Sequence, residues 1–160
     1  VDLKLRGLRA AFCSNSFAAY RMDVLEEVGG FPSSTIFGED MLTAVKIMNA
    51  GYSKSYVPTA VVLHAHDYTI QQDLQRYFDM GVMHASEPSL QEILHSGVSS
   101  SGSAFVRSEL KNVARGRVQV AASLILRSGF RWIGYQLGKR YKILPRLLQR
   151  WLAMNKAYFA

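Results

Sequence analysis

The sequence predicts a mixed α/β body followed by a basic, all-helical tail. Three observations carry that expectation. Short β-rich runs alternate with segments of helical apolar spacing in the first two-thirds of the chain. A Gly/Ser run, Gly97-Val-Ser-Ser-Ser-Gly102, interrupts the pattern. Charge then changes sign: residues 1–104 carry 7 Lys/Arg against 11 Asp/Glu, a net −4, whereas residues 105–160 carry 12 Lys/Arg against Glu109 alone, a net +11. The expected layout is therefore a body over 1–96, a Gly/Ser linker over 97–104 and a basic amphipathic helical tail over 105–160.

Taken in order, Phe12 to Arg21 reads as a strand or extended segment entering a turn. Met22 to Val28 reads as a short helix, with Asp23, Glu26 and Glu27 near its start and Gly29-Gly30 as its stop. Phe31 to Gly38 is a loop. Glu39 to Ala50 is a helix, because Met41, Leu42, Val45 and Met48 recur at helical spacing and Gly51 ends the run. Lys54–Val57 and Ala60–His64 are two β-rich runs split by Pro58-Thr59. Ile70 to Ala85 is a second long helix whose apolar face holds Leu74, Tyr77, Phe78 and Met80 to Met83. In the tail, Phe105 to Arg127 is helical, with Val118, Ala121, Ala122 and Ile125 on one face. Gly129 breaks it, and shorter helices follow over Phe130–Lys142 and Pro145–Met154.

Composition narrows the function classes. Hydrophobic residues make up 49% of the 160, enough for a packed core. The lone cysteine, Cys13, excludes an internal disulfide framework and a Cys-based zinc site. No run of about 18 uncharged apolar residues offers a spanning helix, and no signal-peptide layout opens the chain. The missing initiator Met suggests a chain that begins inside a longer protein.

Three segments carry residues fit for chemistry. Gly38-Glu39-Asp40 sits at a loop-to-helix junction. A carboxylate there either satisfies the helix start or, held in a dry cleft, takes a proton from an attacking hydroxyl. His64 and His66 share one face of an extended run; such a pair either binds a metal or rests on backbone carbonyls at a strand end. Ser14-Asn15-Ser16 with Tyr20-Arg21 supplies small polar groups and a cation that either meet a substrate hydroxyl or phosphate or satisfy a turn.

In combination these blocks are more specific. Ser14-Asn15-Ser16-Phe17-Ala18-Ala19-Tyr20-Arg21, Leu25-Glu26-Glu27-Val28-Gly29-Gly30-Phe31-Pro32, Phe37-Gly38-Glu39-Asp40, Ala50-Gly51-Tyr52, Tyr56-Val57-Pro58 and His64-Ala65-His66 follow one another in an order and spacing that closely resembles the second half of family 2 glycosyltransferases. Tyr77-Phe78-Asp79-Met80-Gly81-Val82-Met83-His84, Ser108-Glu109-Leu110, Gly134-Tyr135-Gln136-Leu137-Gly138-Lys139, Leu144-Pro145 and the Met-Asn-Lys-Ala-Tyr-Phe ending resemble the bacterial O-antigen and exopolysaccharide rhamnosyltransferase branch. The resemblance spans nearly the whole chain.

It implies the C-terminal half of a GT-A mixed sheet and an inverting transfer of a sugar, with dTDP-L-rhamnose as donor, to a saccharide or lipid-linked saccharide acceptor in surface polysaccharide synthesis. Asp40 would be the catalytic base and Glu39 its motif partner. Asn15, Ser14, Arg21 and Gly38 would line the substrate pocket, and His64, with His66 as alternate, would lie near a divalent metal (Mg2+ or Mn2+). That metal is bound mainly by an N-terminal half carrying an Asp-x-Asp, and no Asp-x-Asp occurs here. The isolated chain is accordingly expected to be inactive.

The tail interleaves Arg107, Lys111, Arg115, Arg117, Arg127 and Arg131 and the later cations with Phe130, Trp132, Tyr135, Tyr141 and Trp151. Basic residues set among aromatics suit an anionic membrane surface, a solvated face or single-stranded nucleic acid. With no nucleic-acid motif present, the expectation is a peripheral protein on the cytoplasmic face of the membrane that binds no nucleic acid. The alternative outside enzymes is a non-catalytic basic membrane-surface or nucleic-acid-binding module in which the Glu-Asp pair is only a helix cap.

Overall fold

A computed structural model of the chain describes residues 8–90 and 118–160. The chain divides into two compact units, one of residues 1–67 with 87–97 and the other of residues 68–86 with 98–160.

In the first unit, α1 (Leu8–Ala11) and α2 (Met22–Glu27) both pack on α3 (Glu39–Asn49). The stop of α2 is local chemistry: Gly29 and Gly30 take φ of 79° and 68°, a left-handed conformation that a side chain disfavours. Their N–H groups then return to Glu26 O and Leu25 O at 3.0 and 2.8 Å, satisfying carbonyls that the helix leaves open. Helix α3 starts after Gly38, also left-handed at φ 71°, and no side chain caps it. It buries Leu42, Ala44 and Val45, with Val24 and Leu25 of α2 and Ile36 of the intervening loop also in the core. Each large aliphatic side chain so buried stabilises by about 1.5–3 kcal/mol.

The expected mixed sheet is corrected by the structure. Among the described residues there is no strand, and every regular element is helical. The α/β expectation, and with it the GT-A half-sheet, is overturned. Phe12–Arg21, Lys54–Val57 and Ala60–His64 run without a ladder; Ala60 N–H closes only a local turn on Val57 O at 3.1 Å. The physical reason is that a strand exists through a partner. β-branched and aromatic side chains mark a segment suited to a pleated, half-buried surface, and none of these three finds a neighbouring strand. Tyr56, Val61 and Leu63 stay 88%, 77% and 99% exposed.

In the second unit, α4 (Ile70–Ser86) packs along α5 (Val118–Lys139), and a 3-10 turn (Tyr141–Ile143), α6 (Arg146–Leu152) and a closing 3-10 turn (Lys156–Phe159) follow. Helix α5 runs unbroken through Gly129, where a helix break was expected. One glycine costs a helix only about 1 kcal/mol, which packing against α4 offsets. Residues 105–117 of the expected tail helix and the 97–104 linker lie outside the described residues. The apolar face assigned around Ala122 and Ile125 is not the buried one, since Ile125 is 57% exposed. The two helices meet instead through glycines. A Cβ on Gly138 would fall 2.1 Å from Phe78 O, one on Gly134 2.3 Å from Leu74 O and one on Gly81 2.4 Å from Tyr135 O.

Polar groups fix this packing. Asp73, fully buried, accepts from Arg127 Nη1 at 2.7 Å and from Arg131 Nε and Nη2 at 3.1 and 3.0 Å. Buried Asp79 accepts from the backbone N–H groups of Met154 and Asn155 at 3.3 and 2.9 Å. Burial, partly offset by those two bonds, raises its carboxyl to about 6. His84 is pushed down to about 4, first by burial and then by Lys139. Its Nδ1 lies within hydrogen-bond distance, 3.0 Å, of the Tyr135 hydroxyl.

Two tests follow. Gly138→Ala forces Phe78 O and α5 apart and should lower the unfolding free energy by about 1–3 kcal/mol in urea titration. His84 has a folded pKa below its unfolded value, so its contribution is complete above about pH 6.5 and is lost as pH falls toward 4. Asp79 has the opposite slope: its contribution is present below about pH 4 and lost as pH rises through about 6. His84→Gln leaves Asp79 in place. The variant should therefore lose about 1–2 kcal/mol less than the parent between pH 7 and pH 5.

Candidate functional site

The chemistry-bearing residues of the first unit gather at the start of α3. Gly38 is buried and turns the chain left-handed, so that Glu39 and Asp40 open the helix half-buried. Asp40 Oδ1 accepts the N–H of Met41 at 2.7 Å. Its Oδ2 accepts the N–H of Asn15 at 3.1 Å, a contact between residues 25 apart in sequence. Asn15 Nδ2 donates to Glu39 Oε1 at 3.4 Å. One asparagine thus holds both carboxylates, Asp40 through its main chain and Glu39 through its side chain. Each carboxylate oxygen offers two acceptor sites, so a hydroxyl can still approach Asp40.

The loop that presents Asn15 is held from the other side. Tyr20 Oη donates to Asn15 Oδ1 at 2.8 Å and lies 3.4 Å from Cys13 Sγ. Burial raises the Tyr20 phenol, and the bond to Cys13 and the nearby Asp40 and Glu39 charges add to that. The phenol therefore stays protonated and able to donate. Its ring meets Phe31 edge to face at 5.2 Å. The Lys54 ammonium donates to Phe12 O, tying the same loop to the segment after α3.

Ser14 and Ser16 extend the cluster toward the histidines. Ser14 Oγ donates to Ser16 Oγ at 3.0 Å, and Ser16 Oγ lies 3.2 Å from His64 Nε2. The His64 and His66 rings meet edge to face with centroids 4.2 Å apart. Both histidines are exposed. Asp40, Glu39, Gly38, Asn15, Ser14 and His64 are therefore linked by hydrogen bonds and chain continuity into one surface, with His66 stacked on its end.

Arg21 is not part of it. Its guanidinium pairs with Asp23 on the surface, through Nε at 3.1 Å to Oδ1 and a second contact to Oδ2. The pair holds the Asp23 carboxyl below its ordinary range. Ser16 and Tyr20, which the sequence offered only as part of a polar block suited to a substrate or a turn, hold the cluster together. Ser16 acts across 48 residues, a contact that no local pattern signals. Among the described residues no three His, Cys, Asp or Glu side chains gather as a metal site. The divalent metal that the resemblance implies therefore has no complete donor set among the described residues.

No family model matches the chain, and no solved structure matches it. It is 40% identical over 158 residues to the O-antigen chain rhamnosyltransferase RfbN of Salmonella typhimurium, a match covering 99% of this chain and 50% of the relative. The O-antigen chain rhamnosyltransferase WbaN of Salmonella anatum matches to the same extent, 40% over 158 residues. The chain spans about half the length of these curated relatives, and across nearly all of its own length it is a sequence relative of O-antigen chain rhamnosyltransferases.

Proposed function

We propose that the chain is the part of an O-antigen rhamnosyltransferase that carries the catalytic base, and that Asp40 is that base. The observation that supports the reading is the double anchoring of the Asp40 carboxylate by the N–H groups of Met41 and Asn15 at 2.7 and 3.1 Å, next to Glu39 and within the Ser14–Ser16–His64 network. Two fixed donors orient the carboxylate without neutralising it, which general-base catalysis requires. The relatives' names, O-antigen chain rhamnosyltransferase, supply the reaction class.

In this reading a nucleotide-activated rhamnose, dTDP-L-rhamnose by resemblance, is the donor, and a saccharide of the growing chain, free or lipid-linked, is the acceptor. Asp40 takes the proton of the acceptor hydroxyl. The oxygen forms a bond to the anomeric carbon as the bond to the nucleoside diphosphate breaks, and the configuration inverts, as in family 2 transferases. The diphosphate leaves with the bonding pair. Asn15 positions the base, and Glu39 adds negative charge beside it that favours proton uptake. The hydroxyls of Ser14 and Ser16 and the His64 imidazole form a polar wall on which a sugar can rest.

The test is Asp40→Asn in the full-length protein. Asparagine keeps one acceptor oxygen, for one of the two N–H donors, and cannot take the proton, so turnover should fall by roughly 10²–10⁴-fold while the unfolding midpoint drops by only a few degrees. A near-normal rate would make Asp40 a structural cap. The 160-residue chain alone, lacking an Asp-x-Asp, should release no nucleoside diphosphate from dTDP-L-rhamnose.

A further inference from the structure

The second unit ends in a surface that its own packing leaves uncovered. Helix α6 is pinned by one face. Gln149 is buried, and its Nε2 donates to both Tyr141 O and Leu144 O at 2.8 Å. Leu152 and Ala153 are buried, and Gln75 Nε2 holds Trp151 O at 2.9 Å. Just beyond the helix, the Asp79 carboxylate takes the N–H groups of Met154 and Asn155. The helix therefore cannot roll, and its other face is fixed outward. That face carries Leu147, 82% exposed, and Trp151, 59% exposed, one helical turn apart, with Ile143 79% exposed in the preceding 3-10 turn. Arg146 and Arg150 lie beside them at the same one-turn spacing, and Lys142 sits beside Ile143, all exposed.

Charge decides what fits this face. No Asp or Glu occurs after Glu109. Among the described residues of the unit the only carboxylate side chains are Asp73 and Asp79, each 2% exposed and committed to internal partners. Every exposed side-chain charge described there is positive. A surface of that kind attracts an anionic partner. Leu147 and Ile143 then select among anionic partners, because an aliphatic side chain gains by entering acyl chains and cannot stack on bases as an aromatic does. A tryptophan beside them is the side chain that favours the bilayer interface.

We propose that Ile143, Leu147 and Trp151, flanked by Lys142, Arg146 and Arg150, dock this unit on an anionic phospholipid surface, with the helix lying in the interface plane. The apolar side chains enter the headgroup–acyl boundary, and the cations remain at headgroup level. No helix among the described residues is long and apolar enough to cross a membrane, so attachment of this kind lies on the bilayer. The inference rests on the second unit alone and stands or falls separately from the role of Asp40.

Vesicle flotation of the 160-residue chain tests it, with phosphatidylcholine vesicles against an equal mixture of phosphatidylcholine and phosphatidylglycerol. The parent should partition at least tenfold more strongly to the mixture, and added salt should weaken it. Arg146→Gln with Arg150→Gln should lower that partition on the order of thirty-fold, at roughly fivefold per charge. Leu147→Ser with Trp151→Ser should lower it on the order of tenfold or more. These side chains are exposed, so the thermal midpoint should hold; if it drops, Ile143→Ser takes their place as the apolar test. Partition indifferent to phosphatidylglycerol, or unchanged by the apolar variants, would overturn the proposal. So would tighter binding to single-stranded DNA than to the vesicles, or a dimer in sedimentation velocity that the apolar variants dissolve.

Discussion

In the first unit the 12–20 segment is tied to the start of α3 by a hydrogen bond from the main chain of Asn15 to the carboxylate of Asp40. The 12–20 segment has no sheet to lie in, and its placement rests on polar anchors: Asn15 on the start of α3, Tyr20 on Asn15, and Lys54 on Phe12 O. Asn15 is exposed, so water competes for its N–H and the bond contributes about 0.5–1.5 kcal/mol net. The carboxylate that accepts it is therefore part of the fold as well as of the proposed chemistry. The bond that holds the loop also fixes the orientation of the carboxylate, which the proposed role as a base would use.

The second unit is organised by close approach. Gly81, Gly134 and Gly138 let α4 and α5 come near enough that any Cβ at these positions would strike backbone. Close approach brings the arginines of α5 onto Asp73 and the Tyr135 hydroxyl onto His84. A buried carboxylate with two guanidiniums is costly to desolvate, and removing any one member leaves the others uncompensated. The arrangement therefore favours one register of α4 against α5, in which Phe78, Val82 and Met83 are fully buried. It also withdraws the unit's described carboxylates from the surface and leaves the outside cationic.

Much of the site was legible before any coordinate. Gly38-Glu39-Asp40 reads as a loop-to-helix junction because a glycine precedes two acids and a run of helical spacing, and α3 begins at Glu39. The Gly29-Gly30 stop and the end of α3 before Gly51 are equally local, since left-handed φ is where glycine is favoured. The strands were not legible as errors. Side chains at 56–57 and 60–64 have the composition of a strand, yet composition reports fitness for a partner and not its presence. The resemblance implies a pocket position for Arg21, and in the structure its guanidinium pairs with Asp23 two residues on.

The sequence by itself determined the helix boundaries set by glycine, the acid pair that opens α3, the change of charge along the chain and the kinship with O-antigen chain rhamnosyltransferases. All of these are local or additive properties, written residue by residue. Only the tertiary structure decided that Asn15 meets Asp40, that Ser16 meets His64, that Gly138 meets Phe78 and that Leu147 and Trp151 remain outside. Each of these depends on which distant segments come within a few ångströms. That outcome is set by packing and by the pairing of buried polar groups across the chain, which spacing in the sequence does not encode.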